Sequence, residues 1–261
     1  MRDALTYEDV LAGVLEVGPL KTWSVIVTIL GDLAADEAAR LPGPVLTQVM
    51  AAMGLKAEAL RVAIHRLRRD GWITSERDGR TSLYGLTSHG RRLTREAAGR
   101  VYGTRSPDPG DWAIVIAQSV EALQGLDVPG LIPVGPRAAL FHGRIDGLPE
   151  TVLAWRAEPG ALPDWAREAV MPEELGQSYA ALAARLEQAL ALPVPEDVLS
   201  RTVLRLAALH QWRRLVLRHG EGEEALMGPD WAGAQARARI AALLARLERP
   251  GVDALQAAIT G

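Results

Sequence analysis

The stretch from Val45 to Leu86 constrains this chain more than any other. Val45, Val49 and Met50 lie three and four residues apart, with Met53 following, and so line one face of a short helix. Gly54 then supplies the backbone freedom that a sharp helix-to-helix turn needs. A second helix is predicted from Lys56 to Asp70. Leu60, Ala63, Ile64 and Leu67 share one of its faces; Glu58, Arg61, Val62, His65 and Arg69 share the other, flanked by Arg66 and Arg68. Gly71 ends this helix and Trp72-Ile73-Thr74 begins a strand. Asp78-Gly79 is a strong hairpin signal, with Thr81-Ser82-Leu83-Tyr84 returning, and Arg77 and Arg80 flank that turn. Helix, Gly turn, basic helix and basic-tipped hairpin follow one another in the order of a winged helix-turn-helix, a module that sets its second helix in a DNA major groove. Lys56, Glu58, Arg61, Val62, His65, Arg66 and Arg69 are the candidate base and phosphate contacts on that helix, and Arg77 and Arg80 the candidate backbone contacts on the wing. The competing reading is a solvated basic helix followed by an ordinary hairpin.

Charge distribution favours the nucleic-acid reading. The whole chain carries a net charge of −3. Residues 56–105, however, hold 12 Lys or Arg against 5 Asp or Glu, while the segments before and after are both acidic. A DNA-facing surface needs that concentration of positive charge. At 261 residues with 48% apolar and 23% charged side chains, the chain is globular and long enough for two or three domains. It has no Cys, which excludes disulfides and thiolate chemistry. No apolar run approaches the length of a membrane span, and the first residues lack a secretory pattern, so the cytoplasm is the expected location.

Around this centre, Thr6–Val17 is predicted to form a short helix or arm. Leu20–Leu33 reads as the first helix of the DNA-binding domain, with Trp23, Val27 and Leu30 under the second. Leu41–Pro44 reads as a loop, Thr87 onward to Tyr102 as a helix, and Ser106–Gly110 as the clearest linker. Beyond it, Asp111–Gln118, Leu131–Val134, Ala138–His142 and Thr151–Trp155 are short strand candidates around a helix at Ser119–Gln124, a small α+β domain that a Pro163–Val170 helix leads out of. From Glu173 the pattern is helical, broken at Gly220–Glu224, with a last helix from Ala232 to Leu247.

Catalytic signatures are missing. There is no nucleophile elbow, phosphate-cradling glycine loop, dinucleotide fingerprint or zinc-protease motif, and the five His residues are too dispersed for a local metal site. A hydrolase would have to be assembled from distant parts such as Ser178 or Ser200 with His210. On the helix Arg201–Arg214, the residues His210, Trp212, Arg213 and Arg214 could grip an anionic, aromatic-bearing effector, the Arg fork on phosphate or carboxylate and the Trp against a ring. The competing reading makes the Trp core and leaves the Arg residues solvated or paired.

GLKAEALRVAIHRLRRDGWI (54–73), GRTSLYGLTSHG (79–90), LHQWRR (209–214) and, more loosely, GPDWAGAQAR (228–237) resemble the PaaX family of bacterial repressors of phenylacetate catabolism. The resemblance implies an α+β, mainly α chain in three parts: a winged helix-turn-helix over 1–105, a ferredoxin-like middle domain over 106–170 and a helical effector and dimerisation domain over 171–261. It implies a homodimer on a pseudo-palindromic double-stranded operator, released by an aryl-CoA thioester such as phenylacetyl-CoA, and no enzymatic activity. It assigns DNA reading to Arg61, His65 and Arg66, and the wing contact to Arg77 and Arg80. Two segments depart from the family pattern: Ser119–Gln124 lacks the usual arginines, and Leu215–Glu224 replaces an aromatic, Asp-Pro-containing segment. The alternatives are an acyl-CoA-processing enzyme with an appended winged helix, and a winged-helix module that binds protein, which the positive charge at 56–105 disfavours.

Overall fold

A computed structural model of the chain describes residues 5–103, 110–158 and 160–260. The expected linker at Ser106–Gly110 lies outside them except for Gly110. The described chain is mixed α+β and mainly helical. Its first segment holds α1 (Tyr7–Leu15), α2 (Thr22–Leu33), β1 (Leu41–Pro42), α3 (Gly43–Ala52), α4 (Ala57–Arg69), β2 (Ile73–Asp78), β3 (Thr81–Leu86) and α5 (Ser88–Val101). Then come β4 (Trp112–Ile116), α6 (Val120–Gln124), β5 (Leu131–Pro133), β6 (Ala138–His142), a 3₁₀ turn at Ile145–Gly147, β7 (Leu153–Ala157) and α7 (Asp164–Val170). The remainder is helical: α8 (Glu173–Ala191), α9 (Val198–Val216), α10 (Glu221–Met227), α11 (Ala232–Arg246) and α12 (Val252–Thr260). No helix among the described residues is long and apolar enough to cross a membrane.

These elements fall into two compact units, neither continuous in sequence. One combines Met1–Arg105 with Ala181–Leu217 and Ala236–Gly261; the other combines Ser106–Ala180 with Arg218–Gln235.

In the first unit, α1 opens with a reciprocal cap, Thr6 Oγ1 accepting from the Asp9 amide at 3.2 Å and Asp9 Oδ2 accepting from the Thr6 amide at 3.1 Å. Every residue of α2 from Val25 to Leu33 is buried. Leu41-Pro42 is a strand rather than a loop: it pairs with β3 at Leu41↔Tyr84 and Pro42↔Leu83, at the edge of a β1-β3-β2 sheet. An edge is where a strand tolerates the missing Pro N–H. Pro44 then sits in the first turn of α3, where that missing donor costs no helical bond.

The centre of this unit is α9, buried on all sides from Thr202 to Trp212 and again at Leu215 and Val216. Its polar residues hold the N-terminal segments in place. Arg205 grips Asp32 of α2 with two bonds of 2.8 and 2.9 Å and donates to the carbonyls of Leu244 and Leu247. Tyr102 donates to the same carboxylate at 3.1 Å, and burial, then the Asp32 charge, raises its hydroxyl pKa. Gln211 donates to the carbonyls of Leu15 and Gly18, both at 3.0 Å. A short terminal helix not expected from the sequence, α12, buries Leu255 completely and packs against α9 and α3.

The second unit is built on a four-stranded antiparallel sheet of order β5-β6-β4-β7. Ala113, Val115, Ala139 and Phe141 bury one face against Leu123 of α6. Trp112 and Ile132, on the other strand faces, cluster with Val170 of α7 and with the half-buried Ala225–Met227 of α10. Strand β7 starts two residues later than the alternation suggested, and Gly220–Glu224 is less a break than the start of α10, with Glu223 accepting from the Gly220 amide at 3.0 Å.

Candidate nucleic-acid interface

Gly54 makes the turn that aims α4. Its φ of 78° is left-handed, nothing lies within 4 Å of where a Cβ would be, and the Leu55 amide returns to the Met50 carbonyl at 3.0 Å. From there α4 buries Leu60, Ala63 and Leu67 against α2 and α3, with Ile64 half-buried beside them. The opposite face is open. Lys56, Glu58, Arg61, Val62, His65, Arg66, Arg68 and Arg69 are all exposed, Val62 at 67%.

The charges on this face are largely uncommitted. Arg66 and Arg69 meet Asp70 at 3.4 and 3.1 Å, exposed pairs that contribute little and yield readily to a stronger anion. Among the described residues, the side chains of Lys56, Arg61, Arg68, Arg77 and Arg80 make no hydrogen bond or ion pair. The hairpin adds two cations: Arg77 sits in β2 opposite Ser82, and Arg80 sits in the loop. The loop is Gly79-Arg80, one residue later than Asp78-Gly79, because Asp78 pairs with Thr81 and the positive φ, 57°, falls on Gly79 as the first loop residue. Glycine first with no positive φ at the second position is the pattern of a type II′ hairpin turn. The carboxylate of Glu76 is held by Arg40 at 2.7 Å, so it does not oppose the positive tip of the hairpin. Between the hairpin and α4 runs a cleft of about 370 Å³ with Arg61 on one wall, Arg80 and Ser82 on the other, and Gly43 and Thr47 at the start of α3.

The structure places the residues read as an effector site differently. His210 and Trp212 are sealed in the core of α9, 1% and 0% exposed. Thr28 donates its hydroxyl to the Ser24 carbonyl, so its lone pairs are left for the His210 Nδ1–H at 3.1 Å. Burial, helped by the Arg213 and Arg214 charges, pushes His210 down to about 4. Arg213 donates to Ser24 and lines a cavity of about 30 Å³, room for water but not for an aryl group or a CoA. Arg214 donates to Gln211 at 3.0 Å. The sequence suggested a ligand face because polar residues recur on this helix; they recur because a helix buried all round must bond its polar groups to neighbouring segments. The distant hydrolase parts are occupied as well, Ser178 donating to the Glu174 carbonyl at 2.8 Å while His210 holds Thr28.

The spacing predicts Trp23 under α4. It lies instead half-buried at the flank, with the Arg66 guanidinium 5.9 Å from its ring centre.

A family model described as PaaX-like protein matches residues 21–90, and one described as PaaX-like protein C-terminal domain matches residues 171–257. The chain belongs to the PaaX-like family. The first match spans α2 through the β2–β3 hairpin, so in this PaaX-like chain the open basic face falls inside it. The chain is 26% identical over 251 residues to the transcriptional repressor PaaX of Escherichia coli (strain K12), covering 84% of this chain and 78% of that protein. An uncharacterized protein from Mycobacterium tuberculosis has a similar fold, with a TM-score of 0.52 and 21% identity over 92% of this chain and 99% of that one.

Proposed function

We propose that this chain is a DNA-binding transcriptional repressor of the PaaX type. The observation that carries the reading is the face of α4: an exposed row of uncommitted cations beside a cation-tipped hairpin, on a helix whose other face is buried. Helix, left-handed Gly turn, helix and two-stranded ribbon support a winged helix-turn-helix, with α4 entering the major groove and the wing on the backbone. The name of the Escherichia coli relative supports repression. In the other unit, the antiparallel order β5-β6-β4-β7, with a helix after β4 and a 3₁₀ turn after β6, supports a ferredoxin-like domain whose second helix is reduced to that turn.

A homodimer on a two-fold operator is part of the proposal, since a single α4 covers only one half-site. So is release by an aryl-CoA thioester, which rests on the family resemblance and not on His210 to Arg214. A gel shift on the chain's own upstream region tests the reading. The complex should weaken by about a thousandfold between roughly 50 and 200 mM salt if some six phosphates are neutralised, and phenylacetyl-CoA should dissociate it. Absent or salt-independent binding would refute the DNA-binding reading; binding that ignores aryl-CoA thioesters would refute only the effector.

A further inference from the structure

A second groove, on the flank of α4 away from the wing, has no place in the interface as described so far. It measures about 640 Å³ and is open to solvent. One wall is the chain entering α2, Leu20 to Trp23; the other is the first three turns of α4, with Lys56, Val62 and Arg66. Its chemistry is layered: Trp23, Leu20 and Ala59 give an apolar floor, and Lys21, Lys56 and Arg66 a cationic rim against the single carboxylate of Glu58. Among the described residues, the side chains of Lys21 and Lys56 have no hydrogen bond or ion pair. The Arg66 guanidinium sits 5.9 Å from the Trp23 ring centre, which holds the ring at the surface and the charge over the groove. Alternating polar anion and apolar rim is the chemistry of a sugar–phosphate backbone, and the groove is continuous with the open face of α4.

We propose that this groove holds the backbone of the bound duplex, with Lys21 and Lys56 at phosphates and Trp23 against a deoxyribose. The proposal rests on the DNA-binding reading and extends it: the duplex is gripped on both flanks of α4, by Arg80 on the wing side and by Lys21 on the other. Lys21 lies outside α4 and the wing, reaches no base edge from there, and so adds affinity without sequence preference.

The test compares the full-length protein with Lys21→Ala and Lys21→Glu on operator and random duplexes across a salt series. Lys21 is exposed, so neither variant disturbs the core. Lys21→Ala should weaken binding to both duplexes about five-fold near 0.15 M salt and flatten the log–log salt slope by about 0.9, leaving the operator-to-random ratio unchanged. Lys21→Glu should weaken both further. Wild-type affinity and slope in both variants would overturn the groove proposal while leaving the DNA-binding reading intact. Unchanged DNA binding with a Lys21→Glu shift in the monomer–dimer equilibrium on sedimentation would assign the groove to a second copy of the chain and also overturn it. If the unmodified protein binds no duplex, the underlying reading fails and the groove proposal with it.

Discussion

Val62 is an apolar, β-branched side chain held in water on a helix, where its branching is mildly unfavourable and it gains almost nothing from burial. Its neighbours on the open face are Arg61, His65 and Arg66. Contact with a thymine methyl in the major groove would use it. Replacing one operator thymine by uracil should then cost the wild type about 0.8 kcal/mol, roughly four-fold in affinity, the worth of one buried methyl, while Val62→Ala binds both operators alike; fluorescence anisotropy on the two duplexes reads the difference. His210 makes the second residue-scale prediction. Its pKa lies near 4 in the folded chain and at an ordinary 6.5 when unfolded, so below 6.5 the unfolded state takes up a proton that the folded state refuses. Stability is therefore complete above that pH and is lost as the pH falls toward 4, by about 2 kcal/mol at about pH 5. Urea melts at about pH 7 and pH 5 should show this loss, and His210→Gln should reduce it. At this scale the face of α4 was legible, because one side of the helix is wet and the spacing reports it. His210 and Trp212 were not, because α9 has no wet side and its spacing therefore reports nothing.

At the scale of elements, the proposed DNA contact divides between α4 and the hairpin. Arg61 projects from the helix and Arg80 from the loop, on opposite walls of one cleft. Substituting Arg61 by Ala should relax preference at one base pair by about 1–3 kcal/mol. Substituting Arg80 should weaken all duplexes alike and reduce the salt slope by about one. Competition against a set of single-base operator variants separates the two outcomes; equal behaviour of the two variants would contradict the assignment. The hairpin was readable from Asp-Gly, yet the loop moved by one residue, because the left-handed position falls on the glycine itself and not on the residue before it. Strand β1 was hidden by Pro42-Gly43-Pro44, a run that usually marks a loop and here ends a two-residue edge. Helix α12 is short and Ala-rich; only its packing through Leu255 fixes it, and that is a tertiary fact.

For the molecule as a whole, the unit bearing the basic face takes residues from both ends of the chain. Composition changes near residue 105, but nothing local announces that Ala181–Leu217 will return to the first unit. The join is the Asp32–Arg205 pair, whose side chains are 0% and 7% exposed. Asp32→Ala would leave the guanidinium buried without its anion and should cost about 3–5 kcal/mol, seen as a lower denaturation midpoint. Replacing both residues by apolar side chains of similar volume should cost less. Arg205 also caps the carbonyls of Leu244 and Leu247, so the carboxylate of α2 is tied to the last tenth of the chain. A chain under synthesis presents the basic helix before Ala181–Leu217 and Ala236–Gly261, the segments that complete its unit. Nascent chains would carry the basic sequence without yet having the finished surface, and a DNA-binding face of the kind proposed would belong only to completed molecules.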